Sequence, residues 1–386
     1  MVKTNAMMKR WWALFCVVAL SACNPSSPTP SPSPSPSPRA ATPTPAPIRT
    51  APTAIPTVPD DQFPAFVVPG RKFAPIDPFE QAKRLGRGVN FANALEAPNE
   101  GDWGVVLREE YFAFVRELGF DTVRVPIRWS AHALREPPYS ISPKFFERVD
   151  WVIKNALAQD LNVVINVHHY EELFEDVQGE RERFLALWNQ IARRYRKLPA
   201  EVVFEVLNEP HGKLTPGLWQ RLFEEALTVI RSTNPQRNVV FTGANWGTLN
   251  ALLGSKPPAD PHLIATFHYY EPIAFTHQGA EWTEGSNAWI GTKWLGTGTQ
   301  RAQVEFDFDR VVRWAEANKV PLWMGEFGAY GRYADLESRV RWTEHVARTA
   351  EARGISWAYW EFGSGFGFYD IANRQWSEPL IKALLP

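Results

Sequence analysis

The stretch VVFEVLNEP, residues 202–210, is a β-branched and apolar run closed by Asn208, Glu209 and Pro210. Such a run reads as a strand, and here its last side chains are polar. Working outward from it, the same pattern recurs, with strands predicted at 88–91, 122–127, 162–169, 202–209, 238–245, 263–270, 321–327 and 355–362. Segments of helical period lie between them at 107–118, 143–160, 180–197, 216–233, 302–318 and 335–353. Eight strands alternating with helices predict an α/β fold, a (β/α)8 TIM barrel forming a single catalytic domain. A doubly wound open sheet is the runner-up, weakened because no glycine-rich phosphate loop follows any strand.

Upstream of the barrel the composition changes. Lys9 and Arg10 precede an apolar run, 11–20, too short to span a bilayer as a permanent helix. It ends in Leu20-Ser21-Ala22-Cys23, which resembles a bacterial lipobox, so residues 1–22 are expected to be a lipoprotein signal peptide and Cys23 the lipidated first mature residue. Residues 23–60 are rich in Pro, Ser and Thr, without an aromatic side chain, and are expected to form an extended spacer. The catalytic domain is placed at 61–386. Cys16 is the only other cysteine and leaves with the signal, so no disulfide is expected in the domain. Lys plus Arg number 41 and Asp plus Glu 42, a balance that gives no support to nucleic-acid binding. Membrane contact is expected only through the anchor, at the extracellular face of the cell or outer membrane, and a monomer is expected. The 17 Trp are too many to be all core, which favours a ligand with flat apolar faces such as a sugar ring.

In a barrel of this kind the active site lies at the carboxyl ends of the strands. Those ends carry Arg124, His168-His169, Asn208-Glu209, His268 and Tyr270, Glu326, and Trp360. Two carboxylates, Glu209 and Glu326, come to one mouth although 117 residues separate them. Glycosidic cleavage needs such a pair, because one carboxylic acid must protonate a poor leaving group while another carboxylate attacks the anomeric carbon. Arg124 is expected to hold the Glu326 pKa low, while Glu209 is free to rise towards neutrality. His168 and His169 are expected to face opposite ways unless the strand end is bulged.

The ordered set, together with GVNFANALEAPNEGDWG (88–104), NVHHYEEL (166–173), LNEPHG (207–212), FTHQGAEW (275–282), GEFGAY (325–330) and WAYWEFGSGFG (357–367), resembles glycoside hydrolase family 5. The likeness is to bacterial endo-β-1,4-glucanases of that family that also accept β-mannan. The resemblance implies a retaining, endo-acting cellulase without a cofactor or metal, cleaving a β-1,4-linked polysaccharide substrate. It makes Glu209 the acid/base and Glu326 the nucleophile. Asn208 is implied at the sugar 2-hydroxyl, Tyr270 at the nucleophile, His268 near the acid/base and Trp360 as a stacking platform. His168 and His169 are placed near the sugar, with Asn93 and Glu96 at a more distant ring.

Residues 271–300 are far longer than the ~2 to 6 residues usual for a βα loop. His277 and Trp282 are expected to reach the substrate from it, and Trp289 and Trp294 to pack it down. Other readings remain open at this point: a β-mannanase, xylanase or β-1,3-glucanase on the same site, or a carbohydrate-binding lipoprotein without chemistry. Glu205 competes with Glu326 for Arg124, and Glu361 is read as structural. A His168-His169 metal site lacks the His-x-His spacing of metal-dependent barrel hydrolases.

Overall fold

The computed structural model describes residues 64–386, so the signal, Cys23 and the spacer to residue 60 lie outside the described residues. Eight parallel strands close in chain order into a barrel: β1 Arg87–Asn90, β2 Thr122–Val125, β3 Asn162–Asn166, β4 Val202–Glu205, β5 Val239–Thr242, β6 Leu263–Tyr269, β7 Leu322–Phe327 and β8 Ser356–Tyr359. Around it run α2 Glu109–Leu118, α3 Pro143–Ala158, α5 Val177–Tyr195, α6 Pro216–Arg231, α9 Gly298–Asn318 and α10 Leu336–Glu351, which cover the six predicted helices. Only the five-residue α7, Leu249–Leu253, follows β5.

The helix α1, Pro78–Leu85, was not legible as part of the repeat. Asp77 caps it, accepting from the Phe79 and Glu80 backbone N–H groups, and Pro78 begins it, as helix N-termini favour. Its Ala82 and Leu85 pack with Val164, Val203, Val240, Ile264, Trp323 and Ala358 inside the barrel. Thr122 at the start of β2 donates to the Leu85 carbonyl, and Asn162 at the start of β3 to the Arg84 carbonyl. The amino-terminal end is thereby plugged, and the open end is the carboxyl one.

The strands β3, β4 and β5 stop three or four residues before the predicted ends, at Asn166, Glu205 and Thr242. At those ends His169, Glu209, Asn245 and Trp246 have φ of 49°, 42°, 61° and 65°, left-handed values that take the chain out of the ladder. The polar residues therefore sit on short bends above the strands, and strict alternation no longer decides where they point. The β6–β7 register shifts between Phe267 and His268, which sets His268 opposite Glu326. Gly325 is needed beside this shift: a Cβ there would lie 3.0 Å from Thr266 Oγ1 and 3.3 Å from His268 Nε2.

Candidate active site

Arg124 on β2 is fully buried, and its five N–H donors are all matched. Nε donates to Glu205 Oε2 at 2.6 Å, and Nη2 to Glu205 Oε1 at 2.8 Å and Asn208 Oδ1 at 2.7 Å. Nη1 donates to Asn90 Oδ1 at 2.8 Å and Glu326 Oε1 at 2.6 Å. The two pairings weighed for Arg124 therefore coexist. Asn90 in turn donates to the Gly325 carbonyl, so β1, β2, β4 and β7 meet at one guanidinium.

Glu326 Oε2 accepts from the Tyr270 hydroxyl at 2.8 Å. His268 Nδ1 lies 2.8 Å from Glu209 Oε1 and 3.4 Å from Glu326 Oε2, so a proton on that nitrogen bridges the two carboxyl groups. One oxygen of Glu209, one of Glu326 and this nitrogen lie within 4.8 Å of one another. Oxygens this close fit the short class of carboxyl separation, ~5 to 5.5 Å, in which the second carboxylate itself attacks, better than the ~6.5 to 9.5 Å class, which leaves room for a water.

Burial raises the Glu209 pKa to about 7, against the pull of Arg124 and His169. The expectation that Arg124 holds Glu326 low does not hold. Burial raises that carboxyl too, and Glu209 adds to the rise, although His268, Arg124 and the Tyr270 hydroxyl oppose it. The physical reason is that desolvation of the buried carboxyl outweighs the pull of the guanidinium, two of whose five hydrogen bonds go to Glu205. Glu209, Glu326 and His268 are also spaced as cation ligands. Protons from Arg124, Tyr270 and His268 already face these carboxylates, and the adjacent guanidinium repels a cation, so the trio suits proton handling better than metal ligation.

Both histidines of the 168–169 pair stand at the mouth, because β3 ends at Asn166 and His169 is left-handed. Asn166 Oδ1 accepts from the Ile127 N–H, which leaves its Nδ2 to donate to His168 Nδ1 at 3.0 Å. Burial and the neighbouring His169 push the His168 pKa well down, so it is a neutral ring with its proton on Nε2. Trp360 is half-buried and lies parallel to it, centroids 6.0 Å apart at 9°. Asn93, half-buried at φ 61°, follows β1. Glu96, expected at a distant ring, is 1% exposed and accepts from the Asn93 and Ala94 backbone N–H groups; here it braces the loop carrying Asn93. Glu361 is fully buried and accepts from the N–H groups of Gly363, Ser364 and Phe366, a structural role.

In the long loop, the His277 ring stands edge-on to Tyr270 at 4.9 Å, and burial lowers its pKa to about 4. Thr276 Oγ1 lies 3.0 Å from its Nδ1. Trp282 is half-buried beside Tyr330 at 4.9 Å and Phe366 at 6.3 Å, an aromatic cluster that holds the loop as well as facing outward. Trp294 is buried and Trp289 half-buried.

Four residues at the mouth were missed by sequence reasoning. Trp103 stands edge-on to His169 at 5.5 Å. Glu171 lies between His169 and His211, and His211 stacks on Trp246 at 3.5 Å and 11°. Only the proximity of Glu171 and His211 to HHY and NEP could have flagged them. Nothing in the local pattern marks Trp103 or Trp246, whose positions depend on loop geometry.

A family model described as cellulase, glycosyl hydrolase family 5, matches residues 86–365. Endoglucanase H of Acetivibrio thermocellus is 37% identical over 315 residues, covering 80% of this chain and 34% of that protein. Endoglucanase 3 of Fibrobacter succinogenes is 25% identical over 78% of this chain and 53% of its own length, so the chain spans between a third and about half of these curated relatives. The crystal structure of endoglucanase Cel5A from Thermotoga maritima matches with a TM-score of 0.78 and 54% identity, covering 80% of this chain and 100% of that one. A complex of Cel5A with mannotriose matches equally well, TM-score 0.78 at 53% identity, over 80% and 100% of the two chains.

Proposed function

The chain belongs to glycosyl hydrolase family 5, and on that premise we propose that it is an endo-β-1,4-glucanase working by retaining double displacement. The observation that carries this reading is the pair Glu209 and Glu326, with oxygens within 4.8 Å and different proton donors around each. In the first step Glu326 attacks the anomeric carbon as the glycosidic C–O bond breaks, and the proton of Glu209 passes to the leaving oxygen. A glycosyl ester on Glu326 results. In the second step Glu209, now a carboxylate, takes a proton from water; the water oxygen attacks the same carbon and Glu326 departs as a carboxylate. Glu209 is suited to the acid role because burial brings its pKa near neutrality. Arg124 and Tyr270 hold the two oxygens of Glu326 and accommodate the charge it regains. Asn208, tied to Arg124, presents its amide to the sugar 2-hydroxyl, and Trp360 with His168 forms a flat wall for a ring. His169, Asn93, His277 and Trp282 complete the cleft.

The mannotriose complex of the 53% identical relative supports extending the substrate class to β-1,4-mannan. Release of reducing sugar from carboxymethyl cellulose, barley β-glucan, glucomannan, galactomannan and xylan tests the assignment. Hydrolysis of the glucans, with viscosity falling ahead of reducing ends, is expected; action on xylan alone overturns it. The lipobox-like residues and the spacer support export and display on a membrane by a lipid on Cys23, which Cys23→Ala should abolish in a palmitate-labelling experiment.

A further inference from the structure

Glu171 begins the short helix α4, Glu171–Glu175, directly after the 168–170 bend. Its carboxylate stands between two imidazoles. Oε1 is 3.6 Å from His169 Nδ1, and Oε2 is 3.9 Å from His211 Nε2. His211 has its other nitrogen, Nδ1, 2.6 Å from the backbone carbonyl oxygen of Glu209. A carbonyl only accepts, so Nδ1 of His211 carries a proton. Its ring is held between Trp246, stacked at 3.5 Å, and Phe174, tilted by 39° at 4.0 Å, so it transmits position rather than swinging free. His169 is held in turn by His168 at 4.5 Å and Trp103 at 5.5 Å.

Glu209 itself has φ 42°, a conformation that an L-residue adopts only when its surroundings impose it. The hydrogen bond from His211 to its carbonyl is one such constraint, and the Trp246 N–H donating to the Pro210 carbonyl at 3.2 Å is another. A carboxylate facing His169 Nδ1 favours a proton on that nitrogen and so fixes the orientation of the ring.

We propose that Glu171 is a positioning residue for the proton-transfer step: it orients His169 and, through His211, the backbone of Glu209. The role rests on reading Glu209 as the acid/base. Burial pushes the Glu171 carboxyl up, but the neighbouring imidazoles of His169 and His211 and the Arg128 guanidinium outweigh it and hold it below the ordinary carboxylate value, which favours the ionised form this role requires. No arm of the arrangement reaches Glu326, so nucleophilic attack is left untouched.

The test compares kcat/KM, which reports glycosylation, on cellotetraose and on 2,4-dinitrophenyl β-cellobioside, whose leaving group needs no proton. Glu171→Gln should lose ~10- to 10²-fold on cellotetraose, the scale of a small misplacement of a reacting group. It should lose less than about threefold on the aryl glycoside. Glu171→Asp keeps the charge but withdraws it, and should lie between wild type and Glu171→Gln with the same selectivity. If Glu171→Gln lowers the melting temperature, Glu171→Asp decides on the same two substrates. Equal losses on both, or no loss on either, overturn the proposal. Glu209→Ala is the control: if it shows no leaving-group selectivity, the acid/base reading falls. If it does and the Glu171 variants do not, only the role of Glu171 falls.

Discussion

Removing Glu205 should both loosen the barrel and change the charge state of Glu326. Glu205 is 1% exposed and takes two of the five hydrogen bonds of a guanidinium that is itself fully buried. Glu205→Ala leaves Nε and one bond of Nη2 without an acceptor in a place water does not reach. Breaking a buried pair from one side costs about 3–5 kcal/mol. An unfolding entropy of about 2.1 cal/mol/K per residue gives about 0.7 kcal/mol/K for the domain, so the melting temperature should fall by about 4–7 °C in scanning calorimetry. The same variant leaves Arg124 with Glu326 as its only carboxylate. The nucleophile is active when ionised, and an undivided cation favours that form, so the acid limb of kcat/KM should move to lower pH. A melting temperature within about 1 °C of wild type, with the acid limb unmoved, would refute the reasoning that one shared guanidinium organises both carboxylates.

Glu209 acts first as an acid, and its pKa is raised to about 7, so kcat/KM on cello-oligosaccharides should fall tenfold per unit above that pH, while the acid limb below it belongs to Glu326. A pH profile on the dinitrophenyl glycoside should lack this limb; finding it there would detach the limb from Glu209. Trp360→Ala removes the ring parallel to His168 and should lower kcat/KM by ~10- to 10²-fold, the equivalent of ~1.5 to 3 kcal/mol of lost apolar contact. Trp282→Ala should act more weakly and also lower the melting temperature, because that ring packs on Tyr330 and Phe366; the reverse order would exchange their roles. Arg237 is 1% exposed, donates to Asn234 Oδ1 and to the carbonyls of Pro199, Val202, Tyr195 and Leu198, and faces no carboxylate in these bonds. Arg237→Leu should destabilise by about 3–5 kcal/mol with kcat/KM unchanged, and calorimetry beside kinetics separates the two.

The eight strands were legible because they are short β-branched or aromatic runs bounded by polar or turn residues. The helices were legible by period. The amino-terminal plug α1 was not, since its apolar face is narrow and its partners, such as Val164 and Ile264, are distant in sequence. Glu209, Glu326, Arg124, His268 and Tyr270 were readable because catalytic barrel residues close strands. What periodicity could not supply was their backbone: the left-handed bends at His169 and Glu209 replace alternation, so both histidines stand at the mouth. The sharing of Arg124 between Glu205 and Glu326 depends on side chains meeting across the barrel, and only their coordinates show how its charge divides. Glu171 was hidden for the same reason, as its two imidazole partners come from different βα loops.

The most direct test of the account is to trap the glycosyl ester. Incubation with a 2-deoxy-2-fluoro-β-cellobiosyl donor bearing a dinitrophenyl leaving group slows the second step more than the first, and digestion followed by mass spectrometry locates the sugar. The account predicts one fluorocellobiosyl group per chain, attached to the carboxylate of Glu326. A label on Glu209, or inactivity of the probe together with a first product of inverted configuration by NMR, would contradict it.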